Sequence, residues 1–81
     1  MHEVASDLFE CNGNNWLVLV DRYSGYAWTS KLKNTSTDTV TAILTTWFHD
    51  YGWPISIRTD GGPQYRTEFA TFCHLNGIKL G

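Results

Sequence analysis

The sequence predicts a single α/β domain whose elements follow the order β-β-β-α-β-α-β. In residues 4–32, apolar and polar positions alternate between clusters of turn-forming residues, which is typical of an antiparallel meander. Further along, an apolar stripe at helical spacing precedes a short apolar strand. Hydrophobic residues make up 42% of the chain, enough for a core, and 81 residues allow one domain at most.

The meander is predicted to consist of three strands. Val4–Glu10 reads as the first strand, and residues 11–15 are dense in turn formers. Residues 16–22 are rich in β-branched and aromatic side chains, and Tyr23–Gly25 is a second short turn. Tyr26–Leu32 then resumes a strand. Short turns of this kind join neighbouring antiparallel strands.

One amphipathic helix is predicted after the meander. Its apolar stripe consists of Val40, Ile43, Leu44, Trp47, Phe48 and Tyr51. These positions fall on one helical face, so we expect them to pack on the core. Ser36 or Thr37 can cap the start, Asp38 suits the positive end of the helix dipole, and Gly52 with Pro54 ends the helix.

The last part of the chain predicts a strand, a helix and the opening of another strand. Ile55–Asp60 reads as a buried strand, reached by a crossover long enough for parallel pairing. A second helix should start near Thr67 and end at Gly77, with one apolar face formed by Phe69, Phe72 and Cys73. Ile78–Gly81 resembles a strand that begins, so we expect the sequence to end inside the fold at its carboxyl end.

Composition excludes several classes of function. A formal net charge of -2 gives no overall positive field, so any contact with DNA must be local. Cys11 and Cys73 have no zinc-ligand spacing and do not form a disulfide framework. No apolar segment is long enough to span a bilayer, and no signal peptide opens the chain. We expect a nuclear or cytoplasmic protein that is not secreted and has no membrane partner.

Two aspartates in apolar strands form the candidate site. Asp7 lies within Val4–Glu10, and Asp60 ends the strand that begins at Ile55. If these strands are parallel neighbours, their backbones lie about 4.8 Å apart, and the two carboxylates can share one divalent ion. Hard oxygen ligands favour Mg²⁺ or Mn²⁺ over zinc. The turn that starts at Gly61 would let a substrate backbone come close.

These residues lie in motifs that resemble a known family. The motifs are Val4–Glu10, the segment from Leu17 to Gly25, and Arg58-Thr59-Asp60-Gly61-Gly62-Pro63-Gln64-Tyr65. Across essentially its whole length, the chain resembles the integrase catalytic core of retroviruses and LTR retrotransposons, in particular the gypsy type. That family belongs to the ribonuclease H-like DDE superfamily. The resemblance implies a ribonuclease H-like fold and makes residues 1–81 a partial catalytic core domain.

The resemblance also implies an activity. Family members carry out metal-dependent polynucleotidyl transfer in DNA integration, with two metal ions roughly 3.5–4 Å apart. On this reading Asp7 bridges both ions and Asp60 holds one of them. The family's third ligand is a glutamate several dozen residues beyond the second aspartate, and the sequence ends before that distance. Glu68 lies in the first turn of the second helix, where stabilising the dipole suits it better. The isolated chain is therefore expected to be inactive.

Contacts with nucleic acid are predicted for the residues after Asp60. Gln64 and Tyr65 could bind a DNA strand by hydrogen bonding and stacking, although Tyr65 could equally pack on its own scaffold. Arg66 and Arg58 could reach phosphates or stay solvated at the surface. Asp21, in contrast, precedes a Tyr-Ser-Gly turn and is expected to cap it rather than take part in catalysis.

Three functions remain open from the sequence. The first is a retrotransposon integrase fragment whose partners are element ends and target DNA, with a homo-oligomer in the full-length protein. The second is a domesticated, non-catalytic binding or dimerisation module of the same fold, since an uncovered sheet face favours association. The third is a nuclease that acts on RNA:DNA hybrids, which the Gly-Gly-Pro-Gln motif disfavours.

Overall fold

The computed structural model describes residues 1–60, 62, 65 and 67–81. Its elements in chain order are β1 (Glu3–Cys11), β2 (Asn14–Asp21), β3 (Ala27–Leu32), α1 (Thr37–Tyr51), β4 (Ser56–Thr59), α2 (Thr67–Leu75) and β5 (Lys79–Leu80). The predicted order of elements is confirmed. No helix in these described stretches combines the length and the apolar character that crossing a bilayer requires.

The first three strands form the predicted antiparallel meander. β1 pairs with β2, and β2 pairs with β3. The first turn is made by Asn12 and Gly13, both with positive φ, at 53° and 77°. An Asn-Gly pair tolerates this left-handed backbone better than other residues do, and its twist matches that of the flanking strands.

Helix α1 begins and ends where its sequence indicates. The Ser36 side chain accepts a hydrogen bond from the Thr39 backbone N–H, so Ser36 is the N-cap. Gly52 follows the last helical residue with φ 105°, and its N–H donates to the Phe48 carbonyl. The apolar stripe buries Val40, Leu44 and Phe48.

The last residue of that stripe departs from the prediction. Tyr51 is 58% exposed, and its ring packs against Trp28, with 5.2 Å between ring centroids, rather than into the core. The final turn of α1 therefore lies at the rim of the core. Ile55 also differs, because it lies outside β4 and is 60% exposed; regular pairing starts only at Ser56, opposite Glu3.

All five strands form one mixed sheet in the order β3-β2-β1-β4-β5. β4 pairs parallel with β1 as predicted, and β5 pairs parallel with β4. Helix α1 provides the crossover from β3 to β4, and α2 provides the crossover from β4 to β5. The central position of β1 brings the amino-terminal strand beside the segment that carries Asp60.

The sheet has one covered face and one open face. The covered face contributes Val4, Leu17, Leu19 and Ile57 to the same core cluster as Leu44 and Phe48 of α1 and Phe69 and Cys73 of α2. Because side chains alternate along a strand, the residues between these positions project from the other face. The open face includes Ala5, Asp7 and Phe9 of β1 and their β2 partners Val20, Val18 and Trp16, all partly or fully exposed.

Candidate metal centre

Asp7 lies on the open face of the central strand. Its neighbours along β1, Val4 and Ser6, are buried on the covered face, so the alternation of the strand directs Asp7 to the opposite side. The backbone N–H of Leu8 donates to Oδ1 of Asp7 at 2.8 Å. This hydrogen bond restricts the orientation of the carboxylate, and Asp7 is exposed to solvent.

Asp60 directly follows the carboxyl end of β4. In the parallel register of β1 and β4, Ser6 pairs with Thr59, so Asp7 and Asp60 are the next residues on the two neighbouring strands. The backbone N–H of Gly62 donates to Oδ1 of Asp60 at 2.9 Å. The predicted juxtaposition of the two aspartates is thus present at the strand end where ligand sites collect in α/β sheets.

Burial and the neighbouring Asp60 both affect the ionisation of Asp7. The pKa of Asp7 is raised above its ordinary value, first because partial burial disfavours the charged form. A hydrogen bond with Asp60 and the negative charge of Asp60 raise it further, whereas the Leu8 N–H acts in the opposite direction. Two carboxylates in this relation repel each other when both are ionised.

This arrangement fits a divalent cation. A cation between Asp7 and Asp60 would replace their mutual repulsion with attraction to both, and carboxylate oxygens are the ligands that Mg²⁺ and Mn²⁺ prefer. In the described part of the chain, no cluster of three or more His, Cys, Asp or Glu side chains is present that could hold a metal. Glu68 lies in the first turn of α2, the position predicted to suit the helix dipole.

The residues predicted to contact nucleic acid have different outcomes. Gln64 and Arg66 lie outside the described residues. Tyr65 is only 4% exposed, its hydroxyl lies 3.0 Å from the Ser6 hydroxyl, and its ring packs edge-on against Phe69. Stacking on a base requires an exposed ring, so the structure favours the scaffold alternative for Tyr65 and does not support a DNA contact. Arg58 is exposed.

The turn-capping role predicted for Asp21 is confirmed. Asp21 caps its turn, since its Oδ1 accepts from the Tyr23 N–H at 3.0 Å and its carbonyl accepts from the Gly25 N–H at 2.7 Å. Cys11 and Cys73 are free thiols, one exposed and one buried.

Ser6 is the residue that sequence reasoning missed. It is 2% exposed, directly precedes Asp7 on β1, and faces the covered side of the sheet, opposite to Asp7. Its spacing of two residues from the buried Val4 could have indicated that a polar side chain faces the core and needs a partner. The identity of that partner, 59 positions away, has no local signal in the sequence.

The fold and the site together define a ribonuclease H-like domain with one carboxylate on the central strand and another just after the carboxyl end of the neighbouring parallel strand. The sequence model of the integrase core domain family matches residues 4–81, and the chain belongs to that family. No curated protein matches this sequence.

The solved structures that are similar to this chain include two that match 99% of its length. The first is the simian T-cell lymphotropic virus intasome in complex with PP2A regulatory subunit B56 gamma, at 26% identity and a TM-score of 0.87. The second is the HTLV-2 integrase catalytic core domain in complex with magnesium, in its dimeric form, at 25% identity and a TM-score of 0.86. The chain covers 31% of the first protein's chain and 59% of the second's.

Proposed function

We propose that this chain is the amino-terminal part of a retrotransposon integrase catalytic core, gypsy-like, that acts in DNA integration by polynucleotidyl transfer. The observation that carries the proposal is the position of Asp7 on β1 beside Asp60, each one residue beyond the last pair, Ser6 and Thr59, of the parallel β1–β4 register. Similarity to integrase catalytic cores over nearly the whole chain supports it. The protein would work in the nucleus or cytoplasm on element ends and target DNA.

Asp7 and Asp60 would hold Mg²⁺ or Mn²⁺. A similar catalytic core is in complex with magnesium, which supports this choice of metal. When bound, the metal supplies charge stabilisation at a phosphodiester and lowers the pKa of an attacking water. The two carboxylates are partly preorganised for this task, because Leu8 and Gly62 each donate a backbone hydrogen bond to one of them.

Neighbouring residues would hold the DNA. Arg58 is exposed and pairs with Ala5 in the β1–β4 register, so its strand position faces the same side of the sheet as Asp7. A guanidinium there could neutralise a phosphate next to the two carboxylates. Gln64 and Arg66 follow Asp60 in the sequence and are proposed as further contacts. The full-length protein would act as a homo-oligomer, as the intasome and the dimeric core among its structural neighbours suggest.

The 81-residue chain itself should not cleave DNA. Two carboxylates fall short of the three-acid set that the family uses, so incubation with a double-stranded DNA end and Mg²⁺ should give no 3′ processing. Steady cleavage that Asp60→Asn removes would contradict this part of the proposal. The reading frame beyond Gly81 should encode a helix that carries the missing glutamate, and a stop codon there in an intact gene would favour another role.

A non-catalytic binding or dimerisation module is the alternative function. The open face of the sheet favours it, because Phe9 is 45% exposed there and stacks on Trp16 with nearly parallel rings 6.3 Å apart. Exposed aromatic surface of this kind commonly marks a contact with another protein. A folded chain that does not bind Mg²⁺ and associates through this face would support the binding or dimerisation module over the catalytic core.

A further inference from the structure

A buried polar pair lies under the two aspartates, on the covered face of the sheet. Ser6 is 2% exposed, Tyr65 is 4% exposed, and their hydroxyl oxygens are 3.0 Å apart. Alanine and phenylalanine could fill these positions without polar atoms, and replacing both members of a buried polar pair by apolar groups is often nearly neutral. Packing alone therefore does not require this hydrogen bond.

The Ser6–Tyr65 pair lies next to the two candidate metal ligands in the sheet. Ser6 directly precedes Asp7 on β1, and its partner in the parallel register, Thr59, directly precedes Asp60. Because neighbouring residues of a strand face opposite sides, Ser6 bonds below the sheet while Asp7 projects above it. A contact that fixes Ser6 also fixes the backbone from which the Asp7 carboxylate extends.

Tyr65 is connected to Asp60 by two further hydrogen bonds. The Tyr65 backbone N–H donates to the Gly62 carbonyl at 2.9 Å, and the Gly62 N–H donates to Oδ1 of Asp60, also at 2.9 Å. The Ser6–Tyr65 contact closes this chain of bonds, which therefore runs from the Asp60 carboxylate to the residue beside Asp7. The edge-on contact between Tyr65 and Phe69, with 5.0 Å between ring centroids, holds the ring in place.

The Tyr65 hydroxyl keeps its proton throughout the physiological range. The pKa of Tyr65 is raised to about 12, first by burial; the hydrogen bond with Ser6 acts in the opposite direction, and the negative charges of Asp60 and Asp7 act in the same direction as burial. A neutral phenol at this position can join β1 to the segment that follows β4 without adding charge to the site.

We propose that Tyr65, through its hydrogen bond with Ser6, is a positioning residue that holds Asp60 in register with Asp7 for metal binding. The inference rests on the proposed function, since it assigns a role at the same metal centre. Metal sites lose affinity when their ligands are held only loosely, and the groups that orient the ligands commonly contribute tenfold or more. Tyr65 would not touch metal or DNA itself.

The test compares Tyr65→Phe with the wild-type 81-residue chain by NMR. The variant keeps the ring contact with Phe69 and removes only the hydroxyl. Without metal, hydrogen exchange of the Gly62 amide should accelerate about tenfold relative to core amides such as that of Leu44, and the Asp60 carboxyl ¹³C shift should change. In an Mg²⁺ titration, the dissociation constant should rise about tenfold. Tyr23→Phe is the matched control, because Tyr23 is 93% exposed.

A merely structural role gives a different pattern. The Gly62 and Leu44 amides would then accelerate equally, and Mg²⁺ affinity would stay at the wild-type value while the chain remains folded, which would overturn the proposal. If Tyr65→Phe does not fold, Ser6→Ala removes the same hydrogen bond with a smaller change. The exchange of the Gly62 amide relative to that of Leu44 and the Mg²⁺ dissociation constant are then measured on Ser6→Ala. When both variants fold, the double variant should resemble either single variant, because each breaks one shared interaction.

Failure of the proposed function would be recognised separately. If the wild-type chain does not respond to Mg²⁺ or Mn²⁺, the metal assignment fails, while the metal-free comparison of Gly62 exchange and the Asp60 carboxyl shift still decides whether Tyr65 positions Asp60. In Tyr65→Phe, faster exchange of the Gly62 amide than of core amides, with a changed Asp60 carboxyl shift, would support positioning. Equal acceleration of all these amides, or no change, would refute it.

Discussion

Replacing Asp7 with asparagine should stabilise the metal-free protein at neutral pH. The pKa of Asp7 is raised in the folded chain, so the folded state binds this proton more tightly than the unfolded state does. Stability therefore falls as pH rises through the raised pKa, and the ionised group remains a cost at pH 7. Asparagine removes that cost and keeps an oxygen that can accept from the Leu8 N–H.

The part of the effect that comes from repulsion between Asp7 and Asp60 follows from the geometry of the strand pair. Backbones of neighbouring strands are about 4.8 Å apart, and two unit charges about 5 Å apart repel by about 0.8 kcal/mol in water. Salt at 0.15 M, with a Debye length of about 8 Å, reduces this to about 0.5 kcal/mol, within the range of exposed pairs. For a domain of this size the corresponding rise in Tm is about 2–4 °C.

Thermal unfolding from pH 3 to pH 8 in EDTA tests this prediction. The gain in Tm of Asp7→Asn over the wild-type chain should be complete above the folded-state pKa of Asp7. It should disappear below a pH of about 3.9, the ordinary pKa of aspartate. Glu10→Gln is the control, because it removes one charge from an exposed position of the same strand. Equal stabilisation by both variants would show that net charge is responsible and would refute the argument from the Asp7–Asp60 pair.

Two further predictions concern the core and the thiols. Phe48→Ala should lower the free energy of unfolding by about 3–5 kcal/mol in urea titrations, because it leaves a cavity under the sheet. Tyr51→Ala on the exposed end of α1 should cost far less, and similar losses would contradict the assigned core. At pH 8 iodoacetamide should label Cys11 rapidly and Cys73 only after unfolding, because burial raises the Cys73 pKa to about 11. Equal labelling rates in the folded protein would disprove the burial of Cys73.

Much of the fold could be predicted because its signals are local. The stripe that includes Val40, Leu44 and Phe48 has one helical period, and the Asn12-Gly13 pair specifies a tight hairpin turn. Tyr51 fits the same stripe, yet it lies at the rim. The sequence shows which face of a helix is apolar, but how far the sheet extends beneath that face depends on strand lengths and packing.

The candidate site, too, could be predicted from the sequence only in part. The proximity of Asp7 and Asp60 could be predicted from the sequence, because a helical crossover between two strands favours parallel neighbours. The contact of Tyr65 with Ser6 could not, because it joins residues 59 positions apart and depends on where the chain returns after Asp60. A tyrosine after a Gly-Gly-Pro sequence is compatible with either a base contact or a buried contact, and only tertiary structure decides.

Titration of the wild-type chain with Mg²⁺ or Mn²⁺, followed by NMR at Asp7 and Asp60, tests the central claim most directly. The two aspartates should respond together at one common affinity, and Asp7→Asn should abolish the response at Asp60 as well. An unchanged, well-dispersed spectrum at millimolar metal would contradict a shared metal site and leave the fold as a binding module.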